Sequence, residues 1–279
     1  MTDPLPPGLY IVATPIGNLG DLTPRAADVL SRASLIAAED TRVTAKLLRH
    51  IGTETPMTPY HDHNADRVRP GLVARLGGEA IALVSDAGTP MISDPGFKLV
   101  RDARAAGHRI VTLPGPSAAI AALTLAGLPT DRFLFAGFLP PKEKARADAL
   151  AELARLRASL VFYESGPRLG ATLASMAAVL GQRDAAVARE ISKAFEECVT
   201  GTLDELAARY AEHAPKGEIV IVVGPPGEAP PPEAGDIDAM LTDALSRLPI
   251  AKAAREVADA TGIARHQLYE RALELKGQA

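Results

Sequence analysis

A single cysteine, Cys198, excludes an internal disulfide framework and a zinc site built from thiolates. Long apolar runs are missing too: nothing approaches the roughly 20 residues that a membrane span requires. The opening Met1-Thr2-Asp3-Pro4-Leu5-Pro6-Pro7 lacks the basic region and apolar stretch of a signal peptide, so a cytoplasmic protein with no membrane partner is expected. Basic charge is not in excess. With 30 Lys and Arg against 34 Asp and Glu, the net charge of −4 runs against nucleic-acid binding over the whole surface, but leaves room for a local basic face. Two glycine patterns, G-x-G-x-x-G and G-x-x-x-x-G-K-[ST], are also absent. No two glycines are separated by one residue and no glycine precedes a lysine, which removes the dinucleotide fingerprint and the P-loop. What remains is 279 residues, 47% hydrophobic and 23% charged, the balance of a soluble chain long enough for two cored domains.

The first half alternates short apolar runs with amphipathic ones. Strands are expected at Gly8–Thr14, Ser34–Ala38, Met57–His61, Ala80–Ser85 and Arg109–Leu113. Helices are expected between them: Pro24–Arg32 with proline in its first turn, Thr41–His50, and a run capped by Asn64 towards Leu76 that Pro70 would kink. Phe97–Ala106 and a helix capped by Ser117 and reaching Ala126 complete the series. Ala80–Ser85 is continuously apolar, as in a sheet covered on both faces. This alternation predicts a mostly parallel sheet with right-handed crossovers.

In the second half, Arg132–Phe138, Leu160–Glu164, Ala186–Ile191 and Glu218–Val223 read as strands. Lys193–Gly201 should return antiparallel from a hairpin, so this sheet is expected to be mixed. Gly224–Gly235, with five prolines and acidic residues, reads as a linker. Beyond it Ile237–Leu248, Ala251–Ala260 and Ala264–Leu275 form helices, the last two joined by Thr261-Gly262-Ile263 in the outline of a helix-turn-helix. The expected division is an α/β domain at 1–116, a second at 117–224, a proline-rich linker at 225–236 and a helical appendage at 237–279.

The chemistry concentrates in Ser85-Asp86-Ala87-Gly88-Thr89-Pro90-Met91-Ile92-Ser93-Asp94-Pro95-Gly96. It starts where the apolar strand ends, the edge at which open α/β sheets bind ligands. Asp86 can accept from a hydroxyl or an amine, Gly88 lets the backbone approach a ligand, and Thr89 offers a hydroxyl. Pro90 stiffens the turn, and Asp94-Pro95 is expected to begin the next helix. A plain strand-to-helix turn needs only about two to six residues, and this loop is longer and dense with polar groups. It reads as a ligand loop.

Motifs along nearly the whole chain carry a family likeness. They are Leu9–Leu19 (Leu-Tyr-Ile-Val-Ala-Thr-Pro-Ile-Gly-Asn-Leu), Ile36–Arg42 (Ile-Ala-Ala-Glu-Asp-Thr-Arg), His61-Asp62-His63-Asn64, Ala82–Pro90, Leu113–Ile120, Gly137–Pro140, Phe162–Ser165, Ala188-Arg189-Glu190 and Lys216-Gly217-Glu218. On these the chain resembles the bacterial ribosomal RNA small-subunit methyltransferase I family; Pro15–Leu19 together with the Asp86 loop is the specific part. Two departures are local: Gly166-Pro167-Arg168, where the family often has histidine before the arginine, and Ile191-Ser192, where it tends to leucine-threonine.

The resemblance implies a two-domain tetrapyrrole methylase-like (class III) α/β fold with a helical appendage, and methyl transfer from S-adenosylmethionine to a cytidine 2′-hydroxyl in the decoding region of 16S rRNA. It implies a homodimer acting on rRNA, in the assembled subunit, without a metal. It places the cofactor in the cleft between the α/β domains, on Pro15, Asp86, Ala87, Gly88, Thr89, Pro90, Ile92, Ser117, Ala118, Phe162, Arg189, Lys216, Gly217, Glu218 and Ile219, with Ile92, Phe162 and Ile219 on the adenine.

Asp40, His61 and His63 are candidates for a proton acceptor, because they stand at or just beyond two strand ends on the side of the Asp86 loop. Asp40 would equally serve as a helix N-cap. His61-x-His63 on a strand would share one face, yet no third ligand stands at metal-binding spacing. Residues 247–279 carry six Lys or Arg against four Asp or Glu, which favours an RNA-contacting appendage. Two rivals remain: a precorrin-type tetrapyrrole methylase on the same fold, and a ligand-sensing helix-turn-helix regulator.

Overall fold

The computed structural model describes residues 4–227 and 234–277. Its first sheet is built from β1 (Gly8–Val12), β2 (Leu35–Ala38), β3 (Met57–Pro59), β4 (Ala80–Val84) and β5 (Ile110–Leu113), in the order β3-β2-β4-β1-β5. Every pairing in it is parallel. The apolar runs are continuous because both faces are covered. Alternate residues send Ala82 and Val84 towards α1 (Pro24–Arg32) and α2 (Thr41–His50), where they meet Val29, Leu30, Leu47 and Leu48. Ile81 and Leu83 point the other way, to Leu72, Leu76, Leu99 and Ala103 on or beside α3 (Ala65–Arg75) and α4 (Phe97–Ala105).

Neighbouring strands β1 and β4 send the chain in opposite directions, β1 towards β2 and β4 towards β5. Such a switch point opens a crevice at the carboxyl ends of the strands. The loops after β1, β2 and β4 all reach it.

The second sheet has β6 (Phe133–Phe138), β7 (Ser159–Ser165), β8 (Asp184–Arg189), β9 (Glu197–Thr202) and β10 (Glu218–Val223), in the order β6-β7-β10-β8-β9. Only β6 and β7 pair in parallel; β7-β10, β10-β8 and β8-β9 are antiparallel, so the sheet is mixed. One face packs Leu169, Leu173 and Met176 of α7 (Gly166–Leu180) and Leu203 and Leu206 of α8 (Leu203–Tyr210), with Leu150 of α6 (Glu143–Leu153). The other packs Ala119, Ala122 and Leu123 of α5 (Ala118–Leu125) on Val161, Ala186, Ala188, Val220 and Val222. Helix α8 begins with a full capping box between Thr202 and Glu205.

Several local expectations are corrected. Asn64 stands at the start of α3 without capping it: its Oδ1 accepts from His61 N–H (3.0 Å) and its Nδ2 donates to Pro59 O (2.9 Å), so the side chain ties the preceding turn. Ser117 makes no capping bond to α5. Asp94-Pro95 does not start α4, which follows Gly96 at φ 136°. His61 and His63 are beyond the strand, because β3 ends at Pro59 and the chain turns.

By its internal packing the chain divides into one unit ending at Pro226 and another starting at Gly227. The core of the linker expected at 225–236, residues 228–233, falls outside the described residues, as do residues 1–3 of the opening stretch. In the second unit α9 (Ala234–Arg247), α10 (Ile250–Thr261) and α11 (Arg265–Gly277) enclose Leu241, Ala244, Ala253, Ala254, Val257, Leu268 and Ala272. Gly262 closes α10 in the left-handed conformation that glycine adopts freely. Arg271 holds Asp238 through two hydrogen bonds of 2.7 and 2.6 Å, joining α11 to α9.

Candidate active site

The Asp86 loop is fastened to the ends of the neighbouring strands. Thr14 and Gly88 exchange both backbone hydrogen bonds, at 2.9 and 3.0 Å, and the Thr14 hydroxyl donates to Ser85 O (3.3 Å). The Thr89 hydroxyl donates to Pro116 O (3.1 Å), just beyond β5. From β2 comes a reciprocal clip. Asp86 N–H donates to the Glu39 carboxylate (3.2 Å), while Asp40 N–H donates to that of Asp86 (2.9 Å). Within the loop Met91 (φ 73°) and Ser93 (φ 66°) adopt the left-handed region without being glycine. Such strain, of order 1–3 kcal/mol per residue, gathers at sites that bind or react.

These loops form one wall of a cavity of about 260 Å³. The opposite wall comes from the second sheet: Phe138 at the end of β6, Tyr163 and Glu164 of β7, Ile191, and Glu218, Ile219 and Val220 of β10. Phe135, Tyr163 and Phe138 make an edge-to-face aromatic series, with centroids 4.8 and 5.6 Å apart. At one rim Lys193 donates to Glu190 (2.9 Å) and Glu218 (3.0 Å), with its alkyl chain over Gly17. The Ser192 hydroxyl donates to Asp21, and both contacts bring the loop after β8 against the loop after β1.

Five carboxylates line the cavity, Glu39, Asp86, Asp94, Glu164 and Glu218, and no Lys, Arg or His does so among the described residues. Burial, reinforced by neighbouring negative charge, raises Glu39 and Asp86 above the ordinary carboxylate range. The same causes, burial first and then Glu39, push Asp94 up to about 6. Tyr163 is likewise raised, by burial and then by Asp94. No group of three or more His, Cys, Asp or Glu suited to a metal occurs among the described residues.

Of the residues expected to hold a cofactor, Asp86, Ala87, Gly88, Thr89, Ile92, Ser117, Ala118, Glu218 and Ile219 line this cavity. Pro15 and Pro90 are not on its wall, although Ile16 and Thr89 beside them are. Phe162 is placed differently from its expected stacking role. It is fully buried in the core shared by α7 and β7, because strand alternation turns Tyr163 to the cavity instead. Arg189, Lys216 and Gly217 are not among the wall residues. Arg189 holds Glu197 (3.1 Å) and donates to Lys216 O (3.3 Å), and Gly217 (φ 106°) leaves room for the Glu190 carboxylate, which accepts from Glu218 N–H (3.0 Å).

The proton-acceptor candidates are all outside the cavity wall. Asp40 accepts from Arg42 N–H and the Arg42 guanidinium, which holds its carboxyl down at about 2. The rings of His61 and His63 meet edge to face at 5.9 Å, and His61 Nδ1 is buried without a hydrogen-bond partner among the described residues. Asp94, Phe138, Tyr163 and Ile191 are not among the site residues that the sequence offers, and Glu39 is offered only within the strand-end segment Glu39–Arg42. Glu39 and Asp94 were within reach, since each flanks or closes a motif already read as polar and strand-terminal. The other three depend on how the second sheet meets the first.

Comparison with known proteins adds lineage to this geometry. The family model described as Tetrapyrrole (Corrin/Porphyrin) Methylases matches residues 8–207, and the one described as RsmI C-terminal HTH domain matches residues 231–276. The "Ribosomal RNA small subunit methyltransferase I" of Erythrobacter litoralis is 55% identical over 98% of this chain and 97% of its own. Its namesake from Mesorhizobium japonicum is 51% identical over 98% and 94%. Among solved structures, uroporphyrin-III C-methyl transferase from Thermus thermophilus complexed with S-adenyl homocysteine matches at 20% identity and a TM-score of 0.54, covering 78% of this chain and 97% of that one, a likeness of fold.

Proposed function

This chain belongs to the ribosomal RNA small subunit methyltransferase I family, and we propose that it transfers a methyl group from S-adenosylmethionine to the 2′-hydroxyl of a cytidine in the decoding region of 16S rRNA. The observation that carries the reading from the geometry is the cavity lined by five carboxylates and, among the described residues, by no basic side chain. Such a wall suits a ligand bearing an ammonium and a sulfonium, and repels a polyphosphate. Gly88, at φ 76° with its backbone on the cavity, and the apolar Ile16, Ile92 and Ile191 supply the close approach and the dry surface an adenosyl group needs.

When bound, S-adenosylmethionine supplies an electrophilic methyl group. In this reading Asp86, Ala87, Gly88, Thr89, Ile92, Ser117, Ala118, Glu218 and Ile219 hold it directly, and Pro15 and Pro90 fix the loops that do so. Arg189, Lys216 and Gly217 keep the Glu190 and Glu218 segment in place, and Phe162 supports Tyr163 from the core. The ribose enters where both halves meet, and RNA phosphates stay outside the acidic interior, near the exposed Arg42. Positioning is the main source of rate. The reading includes a cytoplasmic homodimer and a substrate in the assembled subunit. Exposed Ile120, Leu125 and Phe133 offer apolar surface for the dimer.

Mapping ribose methylation on small-subunit rRNA, with and without the gene, tests the reading; an unmodified decoding region in both cases would sink it. A tetrapyrrole substrate is disfavoured by the match to the C-terminal domain, and a regulator would bind cofactor without turnover. The same assay gives a prediction for the second unit. Because residues up to 226 hold a core of their own, a chain ending at Pro226 is expected to keep cofactor affinity within about twofold. Its methylation of small subunits should fall by about tenfold or more through weaker RNA binding. Full-rate methylation by the shortened enzyme would assign the appendage a structural role.

A further inference from the structure

We propose that Phe138 is the stacking platform for the base of the nucleotide that is methylated, an assignment that rests on the ribose-methyltransferase reading above. The ring reaches the cavity because β6 carries a bulge. Its pairing with β7 runs Phe135 to Val161, then skips Ala136 and resumes with Gly137 to Phe162 and Phe138 to Tyr163. In an unbroken strand Phe138 would share the face of Leu134 and Ala136, which pack against the core of α6, α7 and α8. The extra residue moves it to the face of Phe135 and Tyr163 and sends Leu139 into that core instead. Bulges of this kind re-aim a side chain beside a site. Gly137, at φ 66°, supplies the left-handed turn, and a Cβ there would stand 3.1 Å from Ser93 Oγ of the loop after β4.

Phe138 thereby lines the cavity with 57% of its surface exposed, while Leu139 beside it is buried. It and Tyr163 are the two aromatic rings on the wall among the described residues. Tyr163 is half-buried and meets both Phe135 and Phe138 edge to face, which leaves Phe138 as the ring open to an arriving group. The five carboxylates of the wall repel phosphate, so an RNA strand offers this cavity a ribose and its base and keeps its backbone outside. The base follows the ribose wherever the hydroxyl is placed, and it leaves its neighbours' stack to do so. An exposed, uncharged ring on the wall replaces that lost stacking without any positive charge.

Substitution separates stacking from plain apolar packing. In single turnover at saturating cofactor, with small subunits below saturation, Phe138→Ala and Phe138→Leu should both lose about 10–100-fold in rate. Phe138→Tyr should stay within about threefold of the parent, since a ring and not apolar bulk is what a base requires. All three should melt within about 3 °C of the parent, because the side chain is exposed, and should bind S-adenosylhomocysteine within about threefold of it by calorimetry. Small subunits reconstituted with 16S rRNA lacking only the base of the target nucleotide address the contact itself. On them the parent should also lose about 10–100-fold, and Phe138→Ala should then stand within about threefold of the parent.

A deficit of Phe138→Ala that is as deep on the base-free target as on the intact one would overturn the assignment. So would a parent that is indifferent to the missing base, or a Phe138→Leu variant that works at the parental rate. A collapse of S-adenosylhomocysteine affinity in Phe138→Ala would overturn it too, by making the ring part of the cofactor's pocket. A parent enzyme that puts no methyl group on ribose removes the functional reading along with it, whereas an active parent that is indifferent to this ring overturns this inference alone.

Discussion

Gly88→Val is expected to lower S-adenosylmethionine affinity by about 100-fold or more, equivalent to about 2.7 kcal/mol, in a calorimetric titration of the purified protein. Gly88 sits at φ 76°, where a β-branched residue is strained by roughly 1–2 kcal/mol. A Cβ built there comes to 3.4 Å from Ile16 Cγ2 and 3.6 Å from Pro116 O, so alanine just fits and the two valine methyls do not. They must displace Ile16, which lines the cavity, or enter the cavity themselves. Either way the reciprocal bonds between Thr14 and Gly88 are bent at the point where β1 and β4 diverge. Gly88→Ala is the graded control and should lose only about tenfold, since it bears the strained backbone without the extra methyls. Unchanged affinity in the valine variant would remove the Asp86 loop from the cofactor site.

The parts of the fold that were legible are those with local causes. Helices α1 and α2 begin and end where the sequence places them, because Thr23 and Asp40 cap them through bonds two or three residues away. The continuous run Ala80–Val84 forms a strand covered on both faces. Expectations failed where a side chain had a longer-range choice. Asn64 and Ser117 occupy cap positions, but neither bonds into its helix, and Asn64 serves the preceding turn instead. In the site, the Asp86 loop announced itself through its length and polarity, and its residues do face a cavity. Asp94 read as a helix start because proline follows it, and only the loop's left-handed turns at Met91 and Ser93 carry it to the cavity wall instead. Tyr163 and Phe138 depend on how two sheets approach, which no spacing within one strand encodes.

The run Leu160-Val161-Phe162-Tyr163-Glu164 shows the limit most clearly, and it yields the prediction that separates core from site. With apolar residues at successive positions, the phase of the strand cannot be read, and either aromatic could face the ligand. In the structure Phe162 has no exposed surface and lies among Leu160, Leu169, Leu173 and Ile221, whereas Tyr163 is half-buried on the cavity. Phe162→Ala should therefore leave a void in a packed core, at about 3–5 kcal/mol. For a unit of this size that lowers the melting temperature by about 10 °C. At a temperature where the variant remains folded, its affinity for S-adenosylhomocysteine should stay within about threefold of the parent's. Tyr163→Ala should show the opposite balance. It exposes the edge of Phe135 and Phe138 and removes a cavity wall, so affinity should fall by about tenfold with less than half the loss in melting temperature. If Phe162→Ala instead melts within about 2 °C of the parent and binds poorly, β7 has the other phase, and Phe162 faces the cofactor.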